Sequence, residues 1–182
     1  MPPDVVQMRC GHCGEGVAGR VLTSAGIRDS AGLRTVLWLQ CPLCQDGSVL
    51  ASSGVLYPSA PAGGAVPNLP ADVDSAWREA RTAHAVAAYT AAEIMCRKIL
   101  MHIAVDVGAS APGKNFVQYV ADLDAGGYIP RGLQPIIDQV RQRGNVANHE
   151  LPASQEDESV MTIRITEHLL RGVYGLQGPA SI

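Results

Sequence analysis

The chain has 182 residues, enough for one medium domain or two small ones, and 47% of them are apolar, so a real core is within reach. A net charge of −3 excludes any general attraction to nucleic acid, and such binding would need a local patch. The absence of a basic-then-apolar start and of any apolar run of about 18 residues sets the expectation of a cytoplasmic protein with no membrane contact.

The five cysteines divide four plus one. Cys10-Gly11-His12-Cys13-Gly14 and Cys41-Pro42-Leu43-Cys44 are two C-x-x-C pairs of the zinc-knuckle kind. Two intervening residues let the backbone turn so that both thiolates point inward. Four thiolates at tetrahedral geometry satisfy Zn²⁺ and leave no position for water, so Cys10, Cys13, Cys41 and Cys44 are assigned as ligands of a structural zinc. A lone pair would fit a redox dithiol; two pairs in a reducing compartment favour the metal. His12, inside the first knuckle, is expected to be exposed, and Cys96 to be a small core residue. Thr35–Gln40 reads as a strand leading into the second pair, with Val49-Leu50 and Val55–Tyr57 as further short strands. Residues 1–57 therefore resemble a zinc ribbon. Arg9, Arg20, Arg28 and Arg34 are offset by Asp4, Glu15, Asp29 and Asp46, a balance that does not favour a nucleic-acid face.

Residues 58–70 carry Pro58, Pro61, Pro67 and Pro70 with Gly63 and Gly64, and read as a non-helical connector. Residues 71–175 read as helical, followed by a tail over 176–182. Asp72 or Asp74 is placed to cap the first helix, whose stripe Trp77, Ala80, Ala88, Ala91, Met95, Ile99 and Ile103 predicts a single helix of about 30 residues, with His84 in its one gap. His84 and His102 are taken as structural, and Arg97, off the stripe, as a side chain that reaches a neighbouring helix. Gly108–Asn115 fits the phosphate-loop pattern except at its last position, where Asn115 lacks the hydroxyl that Mg²⁺ needs; a loop between helices is the expectation. A short second helix carries Phe116, Val120 and Leu123 and closes at Gly126-Gly127. A third begins near Pro135, with the stripe Leu133, Ile137, Val140, Gly144 and Ala147. A fourth, capped by Ser154, runs to about Tyr174. The fold class is α+β: a small ribbon of short β-strands followed by a four-helix bundle.

Tyr57-Pro58, Leu69–Val73, Arg78-Glu79-Ala80, Ala91-Ala92 with Arg97, Gly127-Tyr128-Ile129 and above all Arg143–Glu150 give the chain its resemblance to domain-of-unknown-function family 4145. Its helical part in turn looks like the HEPN superfamily, many of whose members are metal-independent ribonucleases in toxin, antiphage and RNA-processing systems. Their motif is an arginine, four to six residues, then a histidine; Arg143 and His149 enclose five. The resemblance implies an active site shared across a homodimer, in a defence or toxin-like setting.

That stretch holds the candidate catalytic residues Arg143, Asn145 and His149, with Arg141 and Asn148 as substrate-binding residues. His149 would take the proton from a ribose 2′-hydroxyl, Arg143 would stabilise charge on the phosphate, and Asn145 would orient one or the other. On one regular helix Arg143 and His149 lie about 120° apart, so a shared site needs a distortion at Gly144, an early helix end or a second subunit. The competing reading is a non-catalytic interaction module, in which the ribbon docks a protein or nucleic acid and the bundle is a dimerising scaffold.

Overall fold

The computed structural model describes residues 4–29, 32–146 and 153–175; at positions 27, 29, 33, 136, 141 and 143–146 it describes backbone only. The chain forms two compact units that divide between Ala62 and Gly63.

The first unit is an antiparallel meander of five strands in the order β1-β2-β3-β4-β5. The strands are β1 Val5–Arg9, β2 Gly16–Asp29, β3 Gly32–Gln40, β4 Gly47–Leu50 and β5 Leu56–Tyr57. The expected strand over Thr35–Gln40 is the second half of β3, and the expected short strands are β4 and β5. Leu37 and Leu39 point into the small core while Trp38 between them stays exposed, the alternation a half-buried strand requires. β1 and β2 were not expected. β2 contains three glycines, two arginines and several small polar residues, so it carries no alternating apolar signal. It is held instead by pairing along almost all of β3, with a bulge between Val21 and Thr23 that leaves Leu22 exposed.

The second unit contains five α-helices among the described residues: α1 Ala71–Ala85, α2 Tyr89–Asp106, α3 Phe116–Ala125, α4 Gln134–Val146 and α5 Glu156–Leu170. The 3-10 turn Arg131–Leu133 leads into α4, and the π-helical turn Arg171–Gly175 extends α5. The α+β class stands, but the single long helix expected from Trp77 is α1 and α2. The break falls at Val86–Ala88, where Ala87 takes a left-handed φ of 62°. That conformation costs an alanine about 1–2 kcal/mol. The cost is offset by folding α2 back on α1, so that Val73, Trp77 and Ala80 face the same core as Ala92, Cys96, Ile99 and Ile103. Ala88 and Ala91, counted in the continuous stripe, are exposed.

Two expected caps also differ. Pro70, not an aspartate, precedes α1; Asp74 pairs with Arg78 at 3.1 Å instead. Gln155, not Ser154, precedes α5, its N–H donating to Glu158 Oε2 at 3.0 Å. Ser154 is drawn away by a stronger acceptor. Its hydroxyl donates at 2.9 Å to Glu93, a buried carboxylate that also accepts from Thr162 Oγ1 at 3.0 Å. Arg97 lies 3.5 Å from the same carboxylate and stacks over the Phe116 ring of α3, the interhelical reach expected of it. His84 is buried with Nδ1 2.9 Å from Ser159 Oγ, and burial holds its pKa below the usual value. Burial pushes the Cys96 thiol up to about 12, so it is a neutral core residue.

Residues 63–70, expected as connector, lie as a strap on the helices. The Trp77 indole donates to Gly64 O at 3.0 Å, Gly64 N donates to Glu167 at 3.1 Å, and Arg171 donates to Ala65 O at 2.9 Å. Gly108–Asn115 is the loop between α2 and α3. Lys114 is held 2.6 Å from Asp122, and Asn115 caps α3 through a reciprocal pair of bonds with Gln118. The lysine that a phosphate loop would leave for its ligand is thus neutralised within the loop's own helix pair. Among the described residues no helix is long and apolar enough to cross a membrane.

Candidate metal centre

The two C-x-x-C pairs sit in equivalent turns, one between β1 and β2 and one between β3 and β4. In each turn the first cysteine's N–H donates to the carbonyl five residues on, Cys10 to Glu15 and Cys41 to Asp46. In each, the residue after the second cysteine donates back to the first cysteine's carbonyl. That residue needs a left-handed backbone: Gly14 has φ 80° and Gln45 has φ 65°. The tight turns aim both thiols of a pair into the space between the knuckles, as the spacing predicted.

The sulfurs of Cys10, Cys13, Cys41 and Cys44 all lie within 4.8 Å of one another, and none is in a disulfide. Cys10 Sγ is 3.7 Å from Cys44 Sγ, and Cys13 Sγ is 3.9 Å from Cys41 Sγ. A tetrahedral thiolate site with metal–sulfur bonds of about 2.3 Å requires sulfur–sulfur separations of about 3.8 Å, so the donor set fits a metal ion. The electrostatics of the bare cluster are conflicted. Burial raises Cys44 to about 12. Burial opposes ionisation of Cys41 too, but the N–H groups of Cys44 and Leu43 outweigh it and bring that thiol down to about 7. A cation among the four sulfurs removes the conflict by stabilising every thiolate at once.

Two details of this centre carry no sequence signal. His12 is exposed, as expected, yet its Nε2 lies 2.9 Å from Gly47 O and so ties the first knuckle to the residue that opens β4. Gly11 packs against the chain at Pro58, where an added Cβ would sit 2.0 Å from the Pro58 carbonyl oxygen. Gly11→Ala is expected to destabilise the first unit by about 1–3 kcal/mol, the usual cost of overpacking against backbone. Urea titration of sheet circular dichroism checks it; an unchanged midpoint would show that the Pro58 segment yields freely.

The Arg143–His149 stretch is only partly described. Arg141, Arg143 and Asn145 fall in the last turns of α4, backbone only, and Asn148 and His149 lie outside the described residues. α4 is continuous through Gly144 to Val146, so there is no helix break at that glycine. Ile137 and Val140 of its predicted stripe are buried, while Ala147 lies outside the described residues.

Similarity to known proteins enters at the helical unit. No curated protein and no solved structure matches the chain. Residues 78–181, more than half of the sequence, match the model described as Domain of unknown function (DUF4145), and the protein belongs to that family.

Proposed function

We propose that the protein is a metal-independent ribonuclease of the HEPN type, built on a helical unit and accompanied by a β unit that a structural Zn²⁺ holds together. Zinc is the cation that suits four thiolates with no open position, and four unpaired thiols support the reading of a reducing, cytoplasmic compartment. The observation that carries the nuclease reading is the position of the motif. Arg143 and Asn145 occupy the last turn of α4, and Asn148 and His149 follow directly in sequence. With α4 continuous at Gly144, a distortion at that glycine does not bring the two side chains together, and an early helix end or a second copy is left to do so; we take the second copy.

The chemistry is a transesterification. Neutral His149 of one copy takes the 2′-hydroxyl proton, and the 2′-oxygen attacks the adjacent phosphorus. The P–O bond to the 5′-oxygen breaks, and that oxygen takes a proton from the second copy's protonated histidine. Arg143 holds the phosphate and stabilises the charge gathering on its non-bridging oxygens, which Lys would do less well for want of a planar fork. Asn145, four residues from Arg141 on α4, orients His149 or the phosphate, and Arg141 and Asn148 bind the substrate. The products are a 2′,3′-cyclic phosphate and a 5′-hydroxyl.

Zinc-loaded protein incubated with end-labelled RNA, in buffer freed beforehand of divalent metal over a chelating resin, tests this reading. Cleavage is expected to persist without free metal and to fall about 10²–10⁴-fold in His149→Ala. Intact RNA, or cutting that His149→Ala leaves unchanged, overturns it.

A further inference from the structure

The sheet of the first unit has two unlike faces, and strand register sorts the charges between them. Cross-strand partners share a face. The pairs Val5↔Arg20 and Arg20↔Gln40 therefore belong with Thr23↔Trp38, Trp38↔Val49 and Val49↔Tyr57 on one side. Leu37, Leu39 and Ser48 are buried on the other. The first face is open: Trp38 is 39% exposed, Val5 53% and Tyr57 58%. Arg9, two residues along β1 from Gln7, and Arg34, two along β3 from Val36, take positions on the same side and are exposed. Asp4, Glu15 and Asp46 lie at strand ends outside these positions, and one acid, Asp29, shares this side, as the diagonal neighbour of Arg34 at the hairpin end of β2 and β3. The even balance of four arginines and four acids in the sequence thus resolves into a face that carries three arginines, one acid and two exposed aromatic rings.

We infer that this open face, centred on Trp38, Tyr57 and Arg20, binds single-stranded RNA by stacking bases on the two rings and pairing its phosphates with the arginines. Charge decides the occupant. A protein partner would need acidic side chains placed to match the arginines, whereas every nucleotide brings both an anion and a flat ring. Trp38 and Tyr57 stand two strands apart, about 10 Å, so each ring takes a different base. Arg20 is the diagonal neighbour of Trp38 across the β2–β3 pair, close enough to reach the phosphate of a base stacked there. The inference stands whether or not Arg143, Asn145 and His149 cut RNA.

The test uses the full zinc-loaded chain carrying His149→Ala, so that the RNA stays whole, and a fluorescent single-stranded RNA followed by anisotropy. Trp77 is buried and Trp38 is not, so RNA is also expected to quench tryptophan emission through Trp38. Trp38→Leu, which keeps apolar area without the stacking surface, is expected to weaken binding about tenfold or more, and Trp38→Phe to restore most of it. Arg20→Gln is expected to lower the slope of log affinity against log salt by about 0.7, one phosphate contact. Zinc content reports on folding, and Tyr57→Ala on the edge strand serves as the second variant if Trp38→Leu loses its metal. No binding to RNA, binding unchanged in both ring variants, or equal loss in Trp38→Phe and Trp38→Leu overturns the proposal, the first leaving the face to a protein partner. Cleavage by the chain with His149 intact is scored separately, so failure of the nuclease reading and failure of this one cannot be confused.

Discussion

A Cys41→Ser chain is expected to lose its metal and the folded state of its first unit together. The physical reason is the thinness of that unit's core. Among the described residues, the fully or nearly buried apolar side chains on its strands, apart from Cys10 and Cys41 in the knuckles, are Leu37 and Leu39. A segment of this size rarely gains more than about 3–5 kcal/mol from apolar burial. A structural zinc site contributes about 10–16 kcal/mol of apparent folding free energy. Substituting oxygen for one soft sulfur ligand removes a large part of that, and the three remaining thiolates are left crowded without their cation. Zinc should fall from one per chain towards none by elemental analysis, and backbone resonances of β1–β4 should collapse towards random-coil positions. A strong chelator applied to the unaltered chain should do the same. Acid should do so as well, because protons compete with the metal for each thiolate and affinity drops as pH falls. A Cys41→Ser chain that keeps a dispersed sheet spectrum without zinc would show that the metal is not what holds this unit.

The second large effect is expected at Trp77. It is 1% exposed, and one side of its ring faces Gly63, whose added Cβ would lie 3.0 Å from Trp77 Cζ2 and 3.1 Å from Ile163 Cγ2. Its indole N–H holds Gly64 O, and Arg81 lies over the ring while donating to Gly63 O at 3.1 Å. Trp77→Ala removes the largest buried side chain of the unit, releases the strap and leaves a cavity between α1 and α5. The cost is expected to be about 3–5 kcal/mol, set against a total stability of about 5–15 kcal/mol for a domain of this size. Trp77→Phe fills most of the space and leaves Gly64 O unpaired, so it should cost about 1–3 kcal/mol. Denaturant titration of helical circular dichroism reads both. Equal midpoints for Trp77→Ala and the unaltered chain would mean that the strap does not depend on this ring.

What the sequence made legible follows from how local each signal is. The clustering of the four cysteines was readable because their identity and spacing are written within each four-residue knuckle, and the turn chemistry around Gly14 needs nothing from elsewhere. β3 was readable because Val36, Leu37, Trp38 and Leu39 form a short run of β-favouring residues leading into the second cysteine pair. β2 was not, because its place comes from pairing with β3 and not from its own Gly-, Ser- and Arg-rich composition. The break between α1 and α2 was hidden for a related reason. Val86, Ala87 and Ala88 include neither glycine nor proline, and alanine is the best helix former. The gain that bends the chain there is tertiary, the burial of two stripes against one core. Ser154 misled in the same way, since its pull towards Glu93 lies 61 positions away in sequence. How the charges divide between the two faces of the sheet was hidden because a count along the chain cannot see the alternation that separates them in space. For the Arg143–His149 stretch the sequence still carries the argument, with the continuity of α4 through Gly144 as the structural addition.

The strap over residues 63–70 bears on how this family should be delimited. The shared sequence pattern begins at Arg78, one position after Trp77. Yet Gly64 and Ala65 are bonded to Glu167 and Arg171, both inside the shared region, and Trp77 is bonded to the strap. What is inherited as a recognisable pattern is therefore shorter than what folds as a cooperative body. A chain trimmed to the shared region would begin in the middle of α1, with Glu167 and Arg171 stripped of their backbone partners and Ile163 uncovered. The piece of this protein that can be moved intact into another context begins at Gly63, fifteen residues before the similarity does.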